Sequence, residues 1–96
     1  MSRVNGKPYF VYVLWSTIAH RFYIGISEDP DQRLRQHNEG ASGWTAKHRP
    51  WMIVHSERYE NYRSARKREI ELKAQKGGRG FFAKTGLSPE RFARGA

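Results

Sequence analysis

The sequence predicts a small mixed α+β domain, a three-stranded antiparallel sheet flanked by helices in the order β-β-α-β-α with a helical tail. Three observations lead there. Two aromatic and β-branched runs, Tyr9 to Trp15 and Phe22 to Ile26, stand a hairpin's length apart. Two polar segments then carry a capping residue at one end and glycine at the other. A third apolar run lies between those two. Ninety-six residues leave room for one core. The expectation is a single domain over residues 1–96, with its core at about 9–76 and a helical tail at 77–96.

The first run, Tyr9-Phe10-Val11-Tyr12-Val13-Leu14-Trp15, is too short for a buried helix and rich in strand formers. Ser16 to Arg21 closes a hairpin onto Phe22-Tyr23-Ile24-Gly25-Ile26. Gly25 inside a strand marks a bulge or a close approach of another group. Asp29 as N-cap, Pro30 at the first helical position and Gln32 three after the cap predict a helix over Pro30–Glu39, stopped by Gly40. Gly40 to Arg49 reads as a polar loop containing Trp44 and Thr45. Pro50 to Ser56 reads as the third strand. Asn61 caps a second helix running to about Lys76, ended by Gly77-Gly78. Phe81 and Phe82 either close the bottom of the core or offer faces on which bases stack. Ser88-Pro89 opens a last helical turn, and Arg94-Gly95-Ala96 reads as a frayed end.

Charge bounds the partner. Eighteen Lys and Arg face nine Asp and Glu, a net charge of +9. Twelve of the eighteen are Arg, the better fork for phosphate. Residues 58–96 hold eleven of the bases and only four of the acids. Such a balance points to a polyanion, most often nucleic acid. No stretch approaches a membrane span, and the N-terminus has no apolar leader, so a cytoplasmic protein is expected. The absence of cysteine excludes disulfides, thiolate zinc sites, iron–sulfur clusters and a cysteine nucleophile. His20, His37, His48 and His55 are scattered without a helical H-x-x-x-H pair, which argues against zinc. Nothing indicates a small-molecule cofactor.

Two helix faces stand out. Arg33 and His37 are four apart and share a face on a helix whose only large apolar residue is Leu34. That face is either solvated or open to a ligand. On the second helix, Tyr62, Ala65, Glu69 and Leu72 form one amphipathic stripe, and Glu69 is its only acid. A carboxylate among core-facing positions must be paired or metal-bound. Arg66, Lys67 and Arg68 span the neighbouring faces and either line a phosphate path or solvate the helix. Tyr12 and Tyr23 lie inside buried-looking strands, where core tyrosine is common.

Together these pieces resemble the GIY-YIG nuclease superfamily. Tyr23-Ile24-Gly25 is the literal second half of the signature, and Phe10-Val11-Tyr12 stands ten residues before it with only the tyrosine kept. Arg33-Leu34-Arg35-Gln36-His37 is similar to the family's R-x-x-x-H helix, and Ala65 to Glu69 to the helix that presents a metal-binding Glu. The likeness covers about residues 9–76 and is strongest to the short bacterial YhbQ-like proteins, more distant to the N-terminal nuclease domain of UvrC.

The resemblance implies that Tyr12 and Tyr23 flank the attacking water, one serving as or assisting the general base. It implies that Arg33 binds the scissile phosphate, that His37 assists proton transfer or contacts the phosphate, and that Glu69 holds one Mg²⁺ or Mn²⁺. Lys47, Arg49, Arg66, Lys67 and Lys73 are the candidate nucleic-acid contacts. Mg²⁺ needs only one or two carboxylates, so a lone Glu suffices. The chain departs from longer members in having no Asn after Glu69 and no appended DNA-binding domain. The implied activity is therefore a structure-selective DNA endonuclease of the repair or recombination type. A binding module that kept the fold without turnover fits the charge equally well, and no residue separates DNA from RNA.

Overall fold

The computed structural model describes residues 7–40 and 43–92. The expected order is present. Strands β1 (Tyr9–Ser16), β2 (Arg21–Ser27) and β3 (Trp51–Tyr59) form an antiparallel sheet in the order β2-β1-β3. Helix α1 is Pro30–Asn38, α2 is Gly43–Ala46, α3 is Tyr62–Ala74 and α4 is Arg79–Thr85, followed by a 3₁₀ turn over Pro89–Phe92. Among the described residues, no helix is long and apolar enough to cross a membrane.

The caps act as the residue types require. Asp29 accepts from the Gln32 backbone N–H at 3.1 Å, and Asn61 accepts from that of Ser64 at 2.9 Å. Gly40 and Gly77 take positive φ just after α1 and α3, where a side chain would be strained.

The central strand β1 is buried from Val11 to Ser16 and sorts its side chains to two faces. Val11, Val13 and Trp15 join Phe22 and Ile24 of β2, and α3 and α4 cover this face with Ala65, Leu72 and Phe81. Tyr12 and Leu14 join Trp51 on the other face, against Tyr23, Ile53 and Leu34 of α1. Phe81 and Phe82 do close the core: Phe22 meets Phe81 at 4.8 Å and Phe92 at 5.1 Å between ring centroids.

Three elements differ from expectation. The segment read as a polar loop contains α2, a single turn that buries Thr45. β3 continues past Ser56 to Tyr59, because Glu57 and Tyr59 pair with Val11 and Tyr9 although neighbouring Ser56 and Arg58 face solvent. Tyr62, placed on the core stripe of α3, is instead half exposed and meets Tyr9 edge-on at 5.5 Å. The pairing of β3 also shifts register between Val13↔His55 and Leu14↔Ile53.

A polar knot fastens the far end of the sheet. Glu57 accepts from Arg68 Nε at 2.8 Å, from the Tyr59 hydroxyl at 2.8 Å and from His55 Nε2 at 2.7 Å. Arg68 also donates to the Lys84 carbonyl at 2.9 Å, tying α3 to the end of α4. Burial alone would raise the Glu57 pKa, but these hydrogen bonds outweigh it and hold the carboxyl below its usual range.

Phe81 is fully buried and Phe82 only partly so. Phe81→Ala should cost about 3–5 kcal/mol of stability and Phe82→Ala clearly less, read from urea unfolding midpoints. Equal costs would mean that the tail does not close this core.

Candidate active site

Four of the five expected site residues meet on the face of the sheet that α1 covers. Tyr12 on β1 and Tyr23 on β2 have ring centroids 6.2 Å apart. Gly25 faces Tyr12 across the pair of strands, and a Cβ there would stand 2.7 Å from the Tyr12 hydroxyl oxygen. The glycine therefore serves a close approach: the Tyr12 phenol lies in the space that a side chain would fill.

Helix α1 brings the other two. His37 has no exposed surface. Its Nε2 lies 3.2 Å from the Tyr12 hydroxyl and its Nδ1 lies 2.8 Å from the Thr45 hydroxyl. It thus stands behind the tyrosines, bonded to Tyr12 and α2, with no surface turned toward solvent. Arg33, one turn earlier, is partly exposed and is braced by its hydrogen bond to Gln36 at 2.5 Å.

Burial and the neighbouring Tyr23 push the Tyr12 phenol up to about 12, against the opposing pull of Arg33. Burial, and then the charge of Arg33, hold His37 below its usual value. At neutral pH the pair is a neutral phenol and a neutral imidazole. The tautomer with its proton on Nδ1 accepts from Tyr12 and donates to Thr45, leaving none of the three groups unsatisfied.

The same helix fixes β3. The Asn38 side chain donates to the Trp51 carbonyl at 3.0 Å and accepts from the Trp51 N–H at 2.7 Å. The Trp51 indole donates to the Thr45 carbonyl at 2.8 Å. α1, α2 and the start of β3 therefore form one hydrogen-bonded unit around His37.

Glu69 comes from α3, on the opposite face, and is 7% exposed. Arg66 binds its Oε1 at 2.5 Å and Lys73 its Oε2 at 3.1 Å. Lys73 and Tyr23 line one groove along the open edge of β2, so the two faces of the sheet meet there. Of the other candidate contacts, Lys47 and Arg49 are exposed between α2 and β3, and Lys67 sits in a separate hollow beside Tyr59 and Arg68.

Residues 8–80 match the family model of the GIY-YIG catalytic domain. The chain belongs to the GIY-YIG nuclease family. It is 36% identical over 72 residues to a UPF0213 protein of Enterococcus faecalis, covering 72% of this chain and 81% of the relative. A UPF0213 protein of Staphylococcus aureus is 35% identical over 66 residues, covering 68% and 79%. These small GIY-YIG proteins carry names that assign no reaction. Membership implies a nucleic-acid substrate.

Whether this GIY-YIG domain suits a divalent ion turns on its donor set. Among the described residues, no three His, Asp or Glu side chains gather into a cage. Glu69 alone offers a hard carboxylate, and it already draws two cations to its oxygens. Mg²⁺ and Mn²⁺ favour oxygen donors, and Mg²⁺ keeps most of its water, so the Glu69 carboxylate, paired with the Lys73 that lines the groove, fits an ion that enters in place of a side-chain cation.

Trp44, Thr45, Lys76 and Arg21 join this region without any sequence motif to mark them. Lys73 and Lys76 follow Glu69 at four and seven residues, a visible helical stripe. Trp44 in a polar segment was the other available signal.

The buried neutral His37 makes stability depend on pH. The unfolded chain protonates at His37 near 6.5, and the native protein resists doing so until a lower pH. The unfolded state then binds more protons, so stability falls as pH drops through that window. Denaturation midpoints should fall between about pH 7 and 5.5, and His37→Gln should flatten that fall. The depressed Glu57 acts separately, its contribution being lost only below its unfolded value of 4.5. An unchanged slope in His37→Gln would show that His37 titrates normally in the fold.

Proposed function

We propose that this GIY-YIG domain is a metal-dependent endonuclease that hydrolyses phosphodiester bonds in DNA and selects substrates by shape. The observation that carries the reading is the meeting of Tyr12, Tyr23, Arg33 and His37 on the face of the sheet that α1 covers, with Tyr23 on the β2 edge sharing a groove with the Lys73 partner of Glu69. Phosphodiester hydrolysis builds negative charge on the non-bridging and leaving oxygens. Arg33 binds the scissile phosphate and holds that charge. Glu69 would hold a Mg²⁺ or Mn²⁺ ion, which would supply Lewis-acid charge to this chemistry.

The two tyrosines take different parts. Tyr12 is 1% exposed and its phenol is held up near 12, so it remains a neutral donor that orients its neighbours. Tyr23 borders the groove and, as the tyrosinate left after it loses its own proton to solvent, accepts the proton of the attacking water as the new P–O bond forms. The bond to the leaving oxygen then breaks, and solvent returns a proton to that oxygen. His37 fixes the Tyr12 hydroxyl through Nε2 and stays out of contact with the phosphate. Selection by shape is supported by the described residues, among which no element stands apart from the core to enter a groove of duplex DNA.

One observation favours a second reading. Arg66 and Lys73 neutralise Glu69 without any metal, so this carboxylate does not repel phosphate, and a non-catalytic binder would tolerate it.

The deciding experiment incubates the protein with Mg²⁺ or Mn²⁺ and single-stranded, duplex, nicked, flap and branched DNA, with matching RNA. Glu69→Gln and a chelator run beside it. Cleavage lost in both controls supports the nuclease. Salt-sensitive binding without cleavage, the same in Glu69→Gln, supports the binder. Under chemistry-limited conditions, log kcat should climb between about pH 7 and 9, because the base acts as a tyrosinate, which becomes more abundant as pH rises. Tyr23→Phe should lose about 10²- to 10⁴-fold and the climb with it. Tyr12→Phe should lose rate and keep the climb. A flat wild-type profile would remove the tyrosine base.

A further inference from the structure

The trough that begins at Tyr23 does not end there. A second lobe opens beside it, toward the β1–β2 hairpin, and Trp44 and Lys76 line both lobes. The lobes measure about 430 and 340 Å³, the size of small-molecule sites. Among the described residues no carboxylate lines either one; the polar lining comes from Tyr23, Lys73, Lys76, Arg21 and two histidines.

Trp44 is the anomaly in this trough. Trp15 and Trp51 are buried, yet Trp44 is 45% exposed. It is nonetheless held firmly. Its ring lies nearly parallel to Tyr23, 27° off and 6.4 Å away, and it contacts Trp51 at 5.7 Å and His48 edge-on at 4.9 Å. The neighbouring Thr45 anchors the same turn to His37 and Trp51. An indole this exposed forgoes hydrophobic stabilisation, and one this well braced offers a rigid flat surface. Around it the charges are crowded. Lys76 lies 5.9 Å from the indole centroid, and its ammonium is depressed by burial and then by Lys73 and Arg21. An anion in the trough relieves that repulsion.

A flat aromatic face beside crowded cations matches a nucleotide: the base stacks and the phosphate meets the charge. A base inside a duplex has both faces covered by its neighbours, so only an unpaired or extruded base can use the indole. From this trough we infer that Trp44 is the stacking platform for an unpaired nucleobase of the substrate strand, adjacent to the phosphate at Tyr23, with Lys76 and Arg21 receiving the phosphate beyond it. The placement next to the scissile phosphate rests on the nuclease reading; the stacking itself does not.

The test measures binding in chelator, where no cutting intervenes. The probe is labelled oligodeoxythymidylate of about eight nucleotides, within the site size of small single-strand binders. Blunt duplex of equal length and oligouridylate are the comparison arms. Anisotropy gives affinity, and tryptophan emission reports the exposed indole. Trp44→Ala should weaken single-strand binding about 5- to 100-fold, change duplex binding less than about twofold, and abolish the quenching. Trp44→Phe should keep most of the affinity. Lys76→Gln should weaken all arms and reduce the salt slope by about one. Equal losses on single strand and duplex overturn the platform, as does a bound single strand that leaves wild-type emission unchanged. The emission test needs no variant, so a misfolded Trp44→Ala does not protect the idea. Similar results with oligouridylate would extend the site to RNA. Stacking without cleavage anywhere in the substrate panel would remove the nuclease reading and leave this one. Cleavage with a neutral Trp44→Ala would do the reverse.

Discussion

Burial of β1 on both faces is the constraint from which the rest of the molecule follows. A central strand with Val11, Val13 and Trp15 on one side and Tyr12 and Leu14 on the other leaves no face for water. Each face needs its own cover, and a chain of 96 residues supplies it with helices. α3 and α4 close one side with an aromatic cluster. α1 and α2 close the other with much less apolar material, since Leu34 is the single large hydrophobic residue of α1. The second face is therefore held by hydrogen bonds as much as by contact area.

Those bonds place the polar groups of the candidate site. A hydroxyl buried as deeply as that of Tyr12 must find a partner, and His37 is one. A buried imidazole has a second nitrogen to satisfy, and α2 offers Thr45. Thr45 in turn fixes the turn that carries Trp44. Structural satisfaction and proposed chemistry are consequently the same set of contacts, read from opposite ends. The Glu69 side obeys the same rule differently: a nearly buried carboxylate is matched by two cations of its own helix.

Local rules made most of the fold legible. The caps at Asp29 and Asn61, the glycines after α1 and α3, and the unbroken strand runs each express their meaning within a few residues. The family signature around Tyr12, Tyr23, Arg33, His37 and Glu69 was equally local. What sequence did not show depends on distant partners. Polar Glu57 looks like the end of a strand until Arg68 and Tyr59 surround it. Trp44 and Thr45 look like loop residues until His37 and Trp51 meet them from either side. That Tyr62 faces outward follows from where β1 begins, which periodicity along α3 does not encode.

The register shift in β3 has a consequence for the molecule's company rather than its chemistry. Three strands leave two borders, and β3 is one of them, with backbone donors and acceptors turned outward. An even row of such groups invites a strand from another copy. Here the ladder changes step between His55 and Ile53, and Arg58 and Glu60 place a charged pair near its far end. An approaching strand would lose alignment after a few residues. A chain this short and this rich in aromatic residues thereby carries its own guard against cross-chain aggregation.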